Sequence, residues 1–226
     1  MQNGVASVVL VGAGVLLQPM CRVAAQNAPT GTVDAAFKQF WDARNPQEAA
    51  KAAEGVEQSG VSFDDALARL KIGRTYSSQV PRGVVRLNHR TAAGDFWYTL
   101  DVPETYDPAR AYQVRVHLHG GVMLRDEGSP RGSGSIGALA GVEQIYVIPY
   151  GWKDAPWWSD AQLESLRGIL DSVKRTYNVD ENRVALAGVS DGGTGAYYFA
   201  MRDTTPYASF LPLNGFIMVL RSELLE

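Results

Sequence analysis

Cysteine is almost missing from this chain: Cys21 is the only one in 226 residues. One thiol forms no internal disulfide and no cysteine-built metal site. Excess charge of one sign is missing too. A net charge of −3 leaves no basic footprint, so nucleic acid is not an expected partner. The stretch Val5 to Leu17, apolar or small throughout, is short of the ~20 residues that a membrane-crossing helix needs. Histidine is scarce as well. His89, His117 and His119 are the only three, and none occurs after position 119. Internal repeats and low-complexity tracts are not present.

What the first 25 residues do contain is the pattern of a secretory signal: an apolar core, then Val23-Ala24-Ala25 as small residues before a cleavage point at Gln26. Cys21 and Arg22 would leave with it, taking the net charge from −3 to −4. A secreted or periplasmic protein, with no membrane attachment after signal removal, is the expectation.

Residues 31 to 73 read as helical. Val33, Ala36, Phe37, Phe40 and Trp41 recur at three- and four-residue spacing. Asn45-Pro46 predicts a cap and a first-turn proline for a second helix. Ser62 caps a third, with Phe63, Ala66, Leu67 and Leu70 as its apolar stripe and Gly73 as its stop. This segment is expected to pack against the main domain or roof its cleft.

From Val84 the pattern becomes strands alternating with helices. Strands are predicted at Val84 to Asn88, Phe96 to Val102, Tyr112 to Leu118, Gln144 to Tyr150, Val184 to Gly188 and Phe210 to Leu213. The run from Gln144 to Tyr150 is apolar enough to be buried on both faces. Ser159, with Gln162 three residues on, predicts a capping box opening a long helix to Tyr177. A further helix is expected from Gly193 to Arg202. Such alternation predicts an α/β fold, a mainly parallel sheet with helices on both faces.

The chemistry concentrates in two segments. Gly188-Val189-Ser190-Asp191-Gly192 stands between an apolar strand and a small-residue helix, where a sharp turn exposes a serine oxygen as a nucleophile. His119-Gly120-Gly121 closes the third predicted strand. Glycines there allow main-chain N–H groups to face an oxygen that becomes negative during acyl transfer. Gly121 and Asp191 are the expected donors, with Gly120 shaping the loop; Asp191 is expected to lend its backbone N–H rather than its carboxylate. Trp152, Trp157 and Trp158 either wall a substrate site for an apolar or aryl acyl group or seal the top of the core. Asp154, Asp160 and Asp191 have no histidine beside them, so neither metal nor cofactor is expected.

Residues 84 to 215, just over half the chain, resemble the α/β-hydrolase superfamily, in particular secreted esterases of the feruloyl-esterase and polyhydroxybutyrate-depolymerase-like kind. The resemblance rests on His119-Gly120-Gly121, on Tyr146-Val-Ile-Pro-Tyr-Gly151 and on Arg183-Val-Ala-Leu-Ala-Gly-Val-Ser-Asp-Gly-Gly193. It implies an acyl-enzyme on Ser190, a small-molecule or polymeric ester as substrate, and a histidine at position 119 that braces the oxyanion loop, with a direct base role as the lesser reading. His89 reads as a surface or turn histidine and His117 as a packed, hydrogen-bonded one.

In the superfamily an acid and a histidine follow the serine along the chain. Here only Asp203, Glu223 and Glu226 are acidic beyond Thr194, and no histidine follows. The expected organisation is a signal peptide at 1–25, a helical segment at 26–80 and a hydrolase domain at 81–226 shortened after about its sixth strand. Pro212 suits an edge position in that last strand. Two further readings stay open: a serine peptidase of the same fold, and a catalytically impaired hydrolase-like binding domain. Oligomeric state is not legible.

Overall fold

A computed structural model describes residues 30–122 and 143–217. The signal-like segment, its cleavage point and Cys21 lie outside the described residues. The chain divides into two compact units, Met1–Arg74 and Thr75–Glu226.

The first unit holds α1 (Thr30–Asp42), α2 (Pro46–Gln58) and α3 (Phe63–Ile72). Val33 and Phe37, one turn apart on α1, are buried. The side chain of Asn45 accepts the Glu48 N–H at 2.8 Å, and Pro46 follows as the first helical residue of α2. Ser62 caps α3 in the same way, and Gly73 ends it at φ 76°, a conformation that glycine adopts without strain. The apolar stripe expected to bury on α3 does not: Phe63, Leu67 and Leu70 are exposed. Arg69, on its last turn, instead pairs with Asp34 and lies over the Phe37 ring, so α3 meets α1 through a cation.

The second unit is a six-stranded sheet ordered β1-β2-β4-β3-β5-β6. Its strands are β1 (Gly83–Thr91), β2 (Gly94–Val102), β3 (Tyr112–Leu118), β4 (Ile145–Pro149), β5 (Val179–Val189) and β6 (Ser209–Leu213), with helices α4 (Asp160–Thr176) and α5 (Asp191–Arg202). The β1–β2 hairpin is antiparallel and joins the sheet by an antiparallel pairing of β2 with β4. The other pairs are parallel. Pro212 lies on β6, the terminal strand of the described sheet.

Alternation along each strand builds the core. Leu100, Val116, Val147 and Leu186 sit on one face, packed with Leu166, Ile169 and Leu170 of α4 and with Ala196 and Phe199 of α5. Thr99, Tyr146, Ile148 and Ala185, of opposite parity, are buried as well, so every residue of β4 is inside. Strand β5 starts five residues earlier than its apolar run predicts. Tyr112 pairs with Val179 and regular register resumes only at Val114 with Val184. The intervening Asp180 carboxylate accepts the Asn182 N–H and the Arg183 guanidinium, which closes a polar bulge that reads as loop in sequence.

The capping box at Ser159 is half formed. Ser159 Oγ accepts the Gln162 N–H at 3.4 Å, but the Gln162 amide turns away and donates to the Tyr150 and Ala155 carbonyls, each at 3.0 Å. The Gln162 amide thereby satisfies the buried Tyr150 carbonyl and gives the Ala155 carbonyl, which already accepts the Trp152 N–H, a second donor.

Candidate active site

At the C-terminal end of β5 the chain reverses within one residue. Ser190 adopts φ 57° and ψ −118°, one of two non-glycine residues with positive φ among those described. Such a backbone costs on the order of 1–3 kcal/mol and persists only where its surroundings over-determine it. Glycines supply that constraint. A Cβ on Gly188 would lie 2.0 Å from the Gly192 carbonyl oxygen, and one on Gly192 would lie 2.0 Å from the Leu118 carbonyl oxygen. A Cβ on Gly193 would lie 2.4 Å from the Leu213 carbonyl oxygen. The Ser190 N–H donates to that same Leu213 oxygen at 3.0 Å, and its carbonyl accepts the Thr194 N–H at 2.9 Å, the first bond of α5. The serine side chain is left exposed.

The loop after β3 lies against this turn. A Cβ on Gly120 would sit 3.0 Å from the Val189 carbonyl oxygen, 3.1 Å from Ser190 Cβ and 3.7 Å from its Oγ, so a larger residue there would crowd the serine turn. Gly121 follows at φ 65°. Its N–H has no acceptor among the described residues. Asp191 is the first residue of α5, where an N–H has no intrahelical acceptor. Gly120, Gly121, Ser190 and Asp191 are therefore brought together by adjacent parallel strands, β3 and β5, that end at the same level.

The Asp191 side chain takes part as well, against the expectation that its carboxylate is idle. Asp191 Oδ2 accepts the Val122 N–H at 2.8 Å. No spacing in the sequence signals that contact, which joins residues 69 positions apart.

His119 bonds to backbone groups of the loops and not to the serine oxygen. Its Nε2 accepts the Gly151 N–H at 3.1 Å, which leaves Nδ1 to donate to the Gly120 carbonyl at 2.9 Å. Both ring nitrogens are engaged in holding loops. His89, expected at the surface, is half-buried: its ring lies over Gly168, whose Cβ would meet it at 2.2 Å. His117 is half-buried on β3 and its ring has no hydrogen bond among the described residues; strand alternation sets it on the same face as Arg115. Burial, with Arg115 and His119 nearby, holds its imidazole below the usual histidine range. All three histidines of the sequence are thus placed, and none bonds Ser190 Oγ.

The tryptophans separate. Trp157 is fully buried and its indole N–H donates to the His119 carbonyl at 2.9 Å, so it seals the core instead of walling a substrate. Gly151 and Gly195 make room for it; a Cβ on either would lie within 2.6 Å of its atoms. Trp152 is half-buried against Phe96 and Tyr150, and Trp158 packs partly on the core. Asp203, the first acid beyond Thr194, is buried at the end of α5 and grips Arg167 of α4 through two bonds of 2.9 and 3.0 Å. Among the described residues no group of three or more His, Cys, Asp or Glu is placed to hold a metal, and no helix is long and apolar enough to cross a membrane.

A serine on a strained strand-to-helix turn after β5, faced by a glycine loop after β3, defines a fold of α/β-hydrolase type. No protein-family model and no curated protein sequence matches the chain. Solved structures similar to it include a thermostable esterase (21% identity, TM-score 0.45), with 55% of this chain aligned. A feruloyl esterase module from Clostridium thermocellum, complexed with sinapinate, is 18% identical at a TM-score of 0.47 over 61% of this chain. An S-formylglutathione hydrolase from Staphylococcus aureus is 21% identical at 0.47 over 66%. The aligned part spans 38%, 55% and 66% of those proteins' own lengths. The strand order and elbow of this chain carry the fold assignment by themselves.

Proposed function

We propose that this protein is a serine hydrolase acting on carboxylic esters through an acyl-enzyme on Ser190. The observation that carries it is the backbone of Ser190, held at φ 57° and ψ −118° with its side chain exposed beside Gly120. Ser190 Oγ attacks the ester carbonyl carbon. The Asp191 and Gly121 N–H groups stabilise the resulting oxyanion, and collapse of the tetrahedral species expels the alcohol. His119 is a positioning residue that ties the Gly120 carbonyl to Gly151. Trp152 and Trp158 offer aromatic surface to a small or polymeric ester; Trp157 does not. Export, with cleavage before Gln26, belongs to the same reading.

Both ring nitrogens of His119 are engaged, with Gly120 and Gly151, so this reading gives His119 no part in taking the serine proton, which ends on the departing alcohol. Oxyanion donors and binding alone retain roughly 10³–10⁴-fold of catalysis over water. The placement of the three histidines also favours a second reading, a hydrolase-like domain that binds an ester or acyl ligand without turning it over.

A fluorophosphonate probe separates the two on protein shown to be folded by circular dichroism. Labelling that disappears in Ser190→Ala supports the hydrolase, and unlabelled folded protein supports the binding domain. Release of p-nitrophenol from p-nitrophenyl acetate, compared with release from aminoacyl anilides, then separates esterase from peptidase.

A further inference from the structure

We infer that the Asp191 carboxylate is a positioning residue for the oxyanion site, an inference that rests on the serine-hydrolase reading above. Asp191 belongs to the turn that carries the nucleophile, and Val122 to the loop that carries the opposing donors. Their 2.8 Å bond, Asp191 Oδ2 accepting the Val122 N–H, is the polar tie between these two segments.

Three features give this bond leverage over the chemistry. First, the Val122 N–H belongs to the same peptide plane as the Gly121 carbonyl, so holding it fixes that plane, to which the Gly121 N–H of the preceding plane is joined through the two dihedrals of Gly121. Gly121 stands at φ 65° with no side chain and would otherwise be free to choose among several conformations. Second, the Val122 side chain packs on the hydrophobic core, so the plane is anchored at both ends. Third, Gly120 stands close to Ser190, since a Cβ built on it would lie 3.7 Å from Oγ, so a small rotation of the loop alters the distance from donor to nucleophile. The bond also commits the Val122 N–H, which leaves the Gly121 N–H as the loop donor able to face an oxyanion. In this reading one residue serves the site twice: its main-chain N–H is a donor for the reacting oxygen, and its carboxylate holds the loop that carries the other donor. A bond to a charged acceptor is shorter and roughly twice as strong as a neutral one, which suits a loop that needs rigid alignment.

Substituting the side chain leaves the Asp191 main-chain donor in place and isolates the carboxylate. The test uses the full chain, with inactivation by a fluorophosphonate probe followed over a range of probe concentrations. Asp191→Ala is expected to lower the maximal inactivation rate about tenfold or more, with the half-saturating probe concentration little changed, because misaligned donors weaken the transition state more than binding. Asp191→Asn, whose amide oxygen reaches the same N–H, is expected to recover most of that loss. Exchange of the Val122 amide hydrogen, followed by NMR, is expected to be protected in the wild type and in Asp191→Asn.

If the wild type labels, Ser190→Ala does not, and Asp191→Ala labels at the wild-type rate, the positioning role is overturned while the hydrolase reading stands. Folded wild type that fails to label overturns both. Should Asp191→Ala not fold, rapid exchange of the Val122 amide in the wild type, or an Asp191→Asn protein with a raised half-saturating concentration and an unchanged maximal rate, overturns the inference.

Discussion

The indole of Trp157 donates its N–H to the backbone carbonyl of His119 across 2.9 Å, and the two rings meet edge-on with centroids 5.0 Å apart. The core therefore reaches directly to the loop that faces Ser190. A residue that resembles a ligand wall in sequence is a structural support for the site.

That contact predicts the behaviour of Trp157→Phe. Three heavy atoms are removed from a fully buried site, and the His119 carbonyl loses its donor. A buried acceptor left unpaired costs about 1–3 kcal/mol. Chemical denaturation is expected to show a loss of that size, with unchanged slope against denaturant.

The backbone of Ser190 predicts a gain. Ser190→Gly relieves the positive φ that Ser190→Ala retains. The glycine variant is expected to be more stable than the alanine variant by about 1 kcal/mol, since the strain is on the order of 1–3 kcal/mol and glycine's extra chain entropy offsets part of it. Thermal unfolding of the two inactive proteins measures this without any assay of catalysis. Equal stability would mean the turn is unstrained.

Two glycine-to-alanine changes are predicted to have opposite signs. A Cβ on Gly192 meets the Leu118 oxygen at 2.0 Å, a backbone clash that local rotation does not relieve. Gly192→Ala is expected to cost about 1–3 kcal/mol or more and to displace Ser190. Gly55 lies inside α2 with nothing within 4 Å of its Cβ position. Gly55→Ala is expected to stabilise its helix by about 0.5–1 kcal/mol, read from the circular-dichroism melt.

Alkaline pH tests the core around Tyr177. Burial, with Tyr106 and Tyr98 nearby, pushes its hydroxyl from 10.0 up to about 12, and the hydroxyl donates to the Pro81 carbonyl at 2.8 Å. The unfolded tyrosine loses its proton first, so above pH 10 the unfolded state binds fewer protons and stability falls as pH rises. The contribution is complete below pH 10 and gone by about pH 12. Tyr98 and Tyr106 are raised in the same direction, mainly by burial. Tyr177→Phe is expected to flatten part of the alkaline limb and to cost about 1 kcal/mol at neutral pH for the lost hydrogen bond. An unaltered limb would assign it to the other tyrosines.

Local signals in the sequence were sufficient for much of this. The caps at Asn45, Ser62 and Ser159, the strand alternation from Tyr112 to Leu118 and the glycines flanking Ser190 each act within a few residues, so their consequences are readable from spacing. The bulge at Asp180 was not readable, because its strand is held by pairing with Tyr112 while its own side chains are polar.

The sequence alone determined which residue stands at the tight turn and which loop has the glycines to approach it, because both follow from short-range sterics. Only the tertiary structure decided which side chains serve that site. The Asp191 carboxylate is engaged because β3 and β5 are neighbours in the sheet, His119 is occupied because Gly151 arrives from β4, and Trp157 is inside because Gly151 and Gly195 vacate a space for it. Each of these depends on segments that are far apart in the chain and adjacent only once the strands have paired.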